Sequence, residues 1–184
     1  MAPKDEQELR DMLFTAVEYQ DGPIALRYPR GNALGIPVRN GFQKVEIGKA
    51  ETLRAGKDIA LLAVGNMVQN SLAAAELLEK EGIDSEVVNM KFVKPLDEEL
   101  LLSIAERIRV FITIEDNVIQ GGFGSGVLEA FSRLGVTDIS VRLHGLPDEF
   151  IEHGSPAELH RIVKLDAAGI AEIAKEQLIS VRNI

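Results

Sequence analysis

The run DIALLAVG, residues 58–65, is apolar from its second residue to its closing glycine. With no polar alternation, it reads as a strand buried on both faces. Residues 67–81 change to a helical period: Val68, Leu72, Ala75 and Leu78 share one stripe, and Gly82 closes the helix. SEVVNMKFV (85–93) reads as a second strand, after which Pro95 and Asp97 open a helix to about Arg107 with Leu100, Leu101 and Ile104 inward. RVFITIED (109–116) is a third strand. A glycine cluster and a helix over about 124–134 follow it, ending at Gly135. ISVRL (139–143) is a fourth strand, and a last helix at about 166–178 carries Ala167, Ile170, Ile173, Ala174 and Leu178.

This alternation predicts an α/β fold, a mostly parallel sheet with helices on both faces. VEIGKAETLRAG (45–56) supplies a short hairpin or an edge strand, and the sheet order is not readable from the pattern. Upstream the pattern is different. Residues 5–19 predict an amphipathic helix with Leu9, Met12, Leu13, Ala16 and Val17 on its apolar stripe and acids in its first turn. The turn QDGP leads to a strand-like Ile24–Ala25–Leu26 and then to YPRG, where Pro29 and Gly31 break regular structure. Residues 31–43 hold three glycines and a proline without periodicity, which places a boundary near 42 and divides the chain into 1–41 and 42–184.

Composition narrows the function classes. The net charge of −9 with no basic block argues against a nucleic-acid surface, although a few arginines in a cleft can still attract a small anion. Without cysteine there is no disulfide, thiolate catalysis or Cys-based metal site. No apolar stretch approaches a membrane span, and a cytoplasmic protein is the simplest expectation.

Four features are candidates for chemistry. Gly121, Gly122, Gly124 and Gly126 sit between a strand and a helix, where they either cradle an anion with backbone N–H groups or let the helix approach the sheet closely. They do not form a dinucleotide fingerprint, because Val127 stands where the third glycine belongs. Glu115 and Asp116 end a strand at the ligand-binding edge of an open α/β sheet. They bind a cation, do acid–base work, cap the next helix or face a subunit partner. His144, His153 and His160 have no metal-site spacing and read as ordinary polar residues, with GLPDEFIEHG (145–154) a docked connection. Arg27 and Arg30 flank a stiff turn, and each carries a planar fork matched to phosphate or carboxylate. A structural salt bridge accounts equally well for one of the two.

Six stretches, APKDEQELRDML, DGPIALRYPRGN, FVKPLDEELL, IEDNVIQGGFGSGV, GLPDEFIEHG and LDAAGI, stand in an order and spacing that resembles the C-terminal third of the 1-deoxy-D-xylulose-5-phosphate synthases, from residue 1 to about 178. The resemblance implies a transketolase-like transferase of three α/β domains, a homodimer that uses thiamine diphosphate and magnesium. It joins pyruvate, after loss of carbon dioxide, to D-glyceraldehyde 3-phosphate, and its product feeds isoprenoid, thiamine and pyridoxal synthesis. Residues 1–41 would then be the tail of the pyrimidine-binding domain with a linker, and 42–184 a transketolase-like C-terminal domain. The family arginine that contacts the phosphorylated substrate matches Arg30. Glu115, Asp116, Gly121, Gly122 and Gly124 are expected at a cleft or interface.

The sequence also departs from the family pattern. It contains no Gly-Asp-Gly, the core of the family's metal and diphosphate site. The family's activating glutamate and substrate histidines belong to segments that precede residue 1. The expectation is a chain that alone holds no catalytic residue, cofactor or metal and depends on upstream thiamine-binding domains, in the same chain or a separate subunit. It would be a fragment, a truncated gene product or a separately encoded subunit. The helix at 5–19 would leave its apolar stripe exposed unless a neighbour or second copy covers it. Alternative readings are a free-standing transketolase-C-like subunit, the β-subunit tail of a 2-oxo acid dehydrogenase acting as an interaction module, and a regulatory domain binding a small anion at Gly121–Gly126.

Overall fold

The computed structural model describes residues 1–182, so Asn183 and Ile184 of the expected 42–184 unit lie outside the described residues. Five strands, β1 (Glu51–Arg54), β2 (Ile59–Ala63), β3 (Ser85–Asn89), β4 (Val110–Val118) and β5 (Ser140–Leu146), form one sheet in the order β1-β3-β2-β4-β5. β1 runs antiparallel on β3 as an edge strand, the second of the two forms expected for 45–56, and the other neighbours are parallel.

Helices cover both faces. α2 (Met67–Lys80) and α6 (Ala167–Arg182) pack on the face that carries Ile59, Leu61, Val87, Ile112 and Ile114. α3 (Glu98–Ala105) and α4 (Phe123–Arg133) pack on the face that carries Ala60, Leu62, Val88 and Phe111. Every residue of β2 is fully buried, as its unbroken apolar run requires, because successive side chains alternate between two covered faces. Asp97 caps α3 by accepting from the Leu100 N–H (3.1 Å).

Three expectations need correction. The second strand stops at Asn89, short of residue 93: the Asn89 side chain accepts from the Lys91 N–H (3.2 Å), and Lys91 turns to a positive φ of 53°. Residues 24–26 join no sheet. They run extended beside the first residues, with the Met1 ammonium donating to the Ala25 carbonyl and the Arg27 N–H to the Met1 carbonyl, each at 3.0 Å. The docked connection of 145–154 is docked only in part. Gly145 and Leu146 enter β5, while the remainder lies outside the sheet with Pro147 and Ile151 half-buried and Phe150 fully exposed.

The N-terminal helix α1 (Glu6–Glu18) is oriented contrary to its apolar pattern. Its buried side consists of Glu8, Asp11, Met12 and Thr15, whereas Leu13 and Val17 are exposed. Gln7, Asp11 and Thr15, four apart on one face, accept the backbone N–H groups of Arg39, Gln43 and Val45 at 2.8–3.0 Å. Glu6 accepts those of Leu34 and Ile36. The loop 34–45 is therefore strapped along α1, which satisfies backbone groups that have no sheet or helix of their own. Glu8 ties α1 to the sheet by accepting from the Asn89 amide (2.8 Å).

Candidate functional site

The chain passes from β2 through α2 to β3 on one side, then through α3 back across to β4 on the other. The reversal leaves a crevice at the carboxyl ends of β2 and β4, where open α/β sheets bind ligands. Three segments meet there: the Gly65–Asn66 turn into α2, the strand end Glu115–Asp116, and the YPRG segment, which lies across both.

Glu115 and Asp116 do not act as a pair. Neighbouring side chains on a strand point to opposite faces. Glu115 is buried and accepts the N–H groups of Phe123 (2.7 Å) and Gly124 (2.8 Å), capping the start of α4. Asp116 faces the crevice. Its Oδ2 accepts from the Asn66 amide (3.0 Å) and lies 3.6 Å from His160 Nε2, and its carbonyl accepts from the Arg27 guanidinium (3.1 Å).

The glycine turn is filled from within. The Gly121 N–H donates to Ser125 Oγ, the Gly122 N–H to the Ile119 carbonyl, and the next two N–H groups to Glu115. A Cβ on Gly124 would stand 2.4 Å from Thr113 Oγ1, and one on Gly122 2.4 Å from Glu115 Oε2. The glycines thus let α4 sit directly against β4, and the donors an anion would need are occupied.

The two arginines of the turn also part. Arg27 holds the segment onto Asp116, whereas Arg30 is exposed and, among the described residues, has no hydrogen-bond or ion-pair partner. Arg30 stands on a cavity of about 540 Å³ whose other lining groups include Lys4, Tyr28, Gln69, Asn70 and His160. His160 reaches it from α5 (Pro156–Ile162), a helix not anticipated from the sequence. The signal was present: Ser155 and Glu158 form a reciprocal capping box, with Pro156 at the first helical position.

His144, read as an ordinary polar residue, is buried with its Nε2 2.7 Å from the Lys164 carbonyl. Burial pushes its pKa below the usual histidine value. His153 lies apart, on the exposed connection.

The fold agrees with known proteins. Residues 48–170 match the model of the transketolase C-terminal domain, and the chain belongs to that family. Within it, the sequence matches the C-terminal third of 1-deoxy-D-xylulose-5-phosphate synthase. The synthase of Aquifex aeolicus is 53% identical over 177 residues, 96% of this chain and 28% of that protein. Synthase 2 of Geobacter sulfurreducens is 52% identical over 93% of this chain and 27% of its own length. The chain therefore spans little more than a quarter of these relatives. Among solved structures, a split-gene transketolase described as an inactive β4 tetramer superposes with a TM-score of 0.82 at 31% identity, covering 97% of this chain and 57% of that one. A transketolase mutant from Pichia stipitis shares the fold at a TM-score of 0.53 and 24% identity, over 72% of this chain and 18% of its own.

Proposed function

We propose that this chain is the C-terminal part of a thiamine diphosphate-dependent synthase that condenses pyruvate with D-glyceraldehyde 3-phosphate to give 1-deoxy-D-xylulose 5-phosphate and carbon dioxide, an entry to isoprenoid precursors. The observation that carries this is the match to such synthases along almost the whole chain. Arg30 supports it: an unpaired guanidinium on a cavity is a preorganised fork for the aldehyde's phosphate.

On this reading residues 1–41 are the tail of the pyrimidine-binding domain and 42–184 the C-terminal domain of a homodimeric enzyme. The exposed Leu13 and Val17 of α1 are the face that the preceding domain covers. Among the described residues no group of three or more His, Asp or Glu side chains is placed to hold a metal ion, and the N–H groups of Gly121 to Gly124 already have acceptors within the chain. The residues here do not fit the cofactor, which we assign to the preceding domains. This chain's part in turnover is to position the phosphorylated substrate, and alone it does not turn over.

Mixing the chain with the separately produced remainder of the Aquifex aeolicus relative tests this. Deoxyxylulose phosphate is expected only in the mixture. Arg30→Ala should raise KM for the aldehyde phosphate about tenfold while leaving that for pyruvate unchanged. Pyruvate decarboxylation by the chain alone, or an unchanged aldehyde KM in the variant, would overturn the reading. A second reading, a subunit that pairs with a separately encoded thiamine-binding subunit, is favoured by the likeness to the split-gene transketolase. Co-purification with such a subunit distinguishes it.

A further inference from the structure

The geometry points to His160, backed by Asp116, as a second donor beside Arg30 for a phosphorylated small molecule in the 540 Å³ cavity. The inference rests on the reading of Arg30 as the phosphate-binding residue and names the group that completes that site.

It follows from which donors around the cavity are already used. The Asn70 amide donates to the Leu165 carbonyl (2.9 Å), the Asn66 amide donates to Asp116, and Lys4 is paired with Glu8 and Asp5. Among the described residues, the lining side-chain donors without an acceptor are Tyr28, Arg30, Asn32 and Gln69, together with His160, whose Nε2 stands 3.6 Å from Asp116. That separation is an ion-pair distance, too long for a hydrogen bond. Only Arg30 and His160 of these five carry or can take a positive charge, and charge-assisted hydrogen bonds are the strong ones to a phosphoryl oxygen.

Asp116 suits a positioning role. It is fixed by Asn66 and by Arg27 on its own carbonyl, so it holds one edge of the imidazole toward β4. With Nε2 the nitrogen nearest Asp116, Nδ1 is the one left for the cavity. His160 is held by a short capped helix and its side chain is only 18% exposed, so the ring is partly shielded from solvent. Arg30 arrives from the YPRG segment and His160 from α5, and Arg27 joins those two segments through Asp116. One residue of the turn thus holds the site together and the other faces the ligand.

Arg30, His160 and Asp116 all belong to this chain, so the isolated 184-residue protein is the sample. It is titrated with inorganic phosphate and with D-glyceraldehyde 3-phosphate, while the imidazole 15N resonances of His160 are followed by NMR. Saturable shifts with Kd on the order of 1 mM are expected. Arg30→Ala and His160→Ala should each weaken binding about tenfold, and His160→Gln, which keeps a donor, should recover part of the loss. Asp116→Asn should leave the backbone spectrum intact but remove the ligand-dependent imidazole shift, which a merely structural aspartate would not do. Loss of binding in Arg30→Ala with wild-type affinity in His160→Ala would overturn the inference and leave the arginine reading standing. Loss in His160→Ala alone would overturn the arginine reading and the pairing built on it. Absence of saturable binding by the wild-type chain would overturn both.

Discussion

The two parts of this chain fold by opposite rules. In the sheet and in α2, α3, α4 and α6 most apolar positions point inward, and two hydrophobic layers close on the sheet. In α1 the polar positions point inward, Leu13 and Val17 point out, and the helix is held by side-chain acceptors that take backbone N–H groups from a loop. Among the described residues, the α/β unit leaves Arg54 Nε, Ser85 Oγ and Thr113 Oγ1 buried without a hydrogen-bond partner. It alone removes much apolar area from water, and burial of that area is the dominant favourable contribution to folding. The difference teaches that the sheet unit contains its own core, whereas α1 leaves Leu13 and Val17 exposed.

The largest expected effect lies inside the sheet. Phe111 is fully buried and packs edge-on against Phe131 with ring centroids 5.1 Å apart. Phe111→Ala should cost about 3–5 kcal/mol in urea unfolding. Val17→Ser, at a position 79% exposed, should stay within about 0.5 kcal/mol of wild type. Equal losses in the two variants would abolish the distinction between the regions.

A smaller effect belongs to the cap that joins β4 to α4. Glu115→Ala leaves the N–H groups of Phe123 and Gly124 without their acceptor and should cost about 2–3 kcal/mol. The same two amides should lose hydrogen-exchange protection first. If protection is lost uniformly along α4 instead, the carboxylate is not what fixes its first turn.

Acidification should separate the regions with the least effect on global stability. Burial pushes the pKa of Asp11 up, but the N–H of Gln43, the Gln7 amide and the Arg39 guanidinium outweigh it and hold the carboxyl below its ordinary value. A carboxyl with a lower pKa in the folded state contributes stability above its unfolded value, about 3.9. That contribution is lost as the pH falls through the folded value. Below about pH 4 the amides of 39–45 should move in 15N–1H spectra while those of β2 hold their positions. Simultaneous loss of both sets would show that the strap and the core are one cooperative unit.

Most of the α/β unit was legible in the sequence because each apolar run there is explained by contacts of its own element. The continuous run of β2, the stripe of α2 and the Asp97 cap of α3 needed only local pattern and the assumption of a common sheet. The sequence suggested both a packing and an anion-binding role for the glycine turn, but not which donors Glu115 would occupy. His160 was least visible: no spacing relates it to Arg30, more than a hundred residues away. Its helix was announced by Ser155, Pro156 and Glu158, but its role depends on which segment it faces.

The sequence by itself therefore determined the class of fold and a turn that carries two arginines, because periodicity and backbone stiffness are local properties of a chain. The family followed from the resemblance of six stretches in register. Tertiary structure alone decided that β2 and β4 lie side by side, that Glu115 and Asp116 serve opposite faces, and that Arg27 is spent on Asp116 while Arg30 is not. It also decided that the polar side of α1 turns inward. Each of these depends on which distant groups satisfy a given donor or cover a given face, and distance in the folded molecule is not written in distance along the chain.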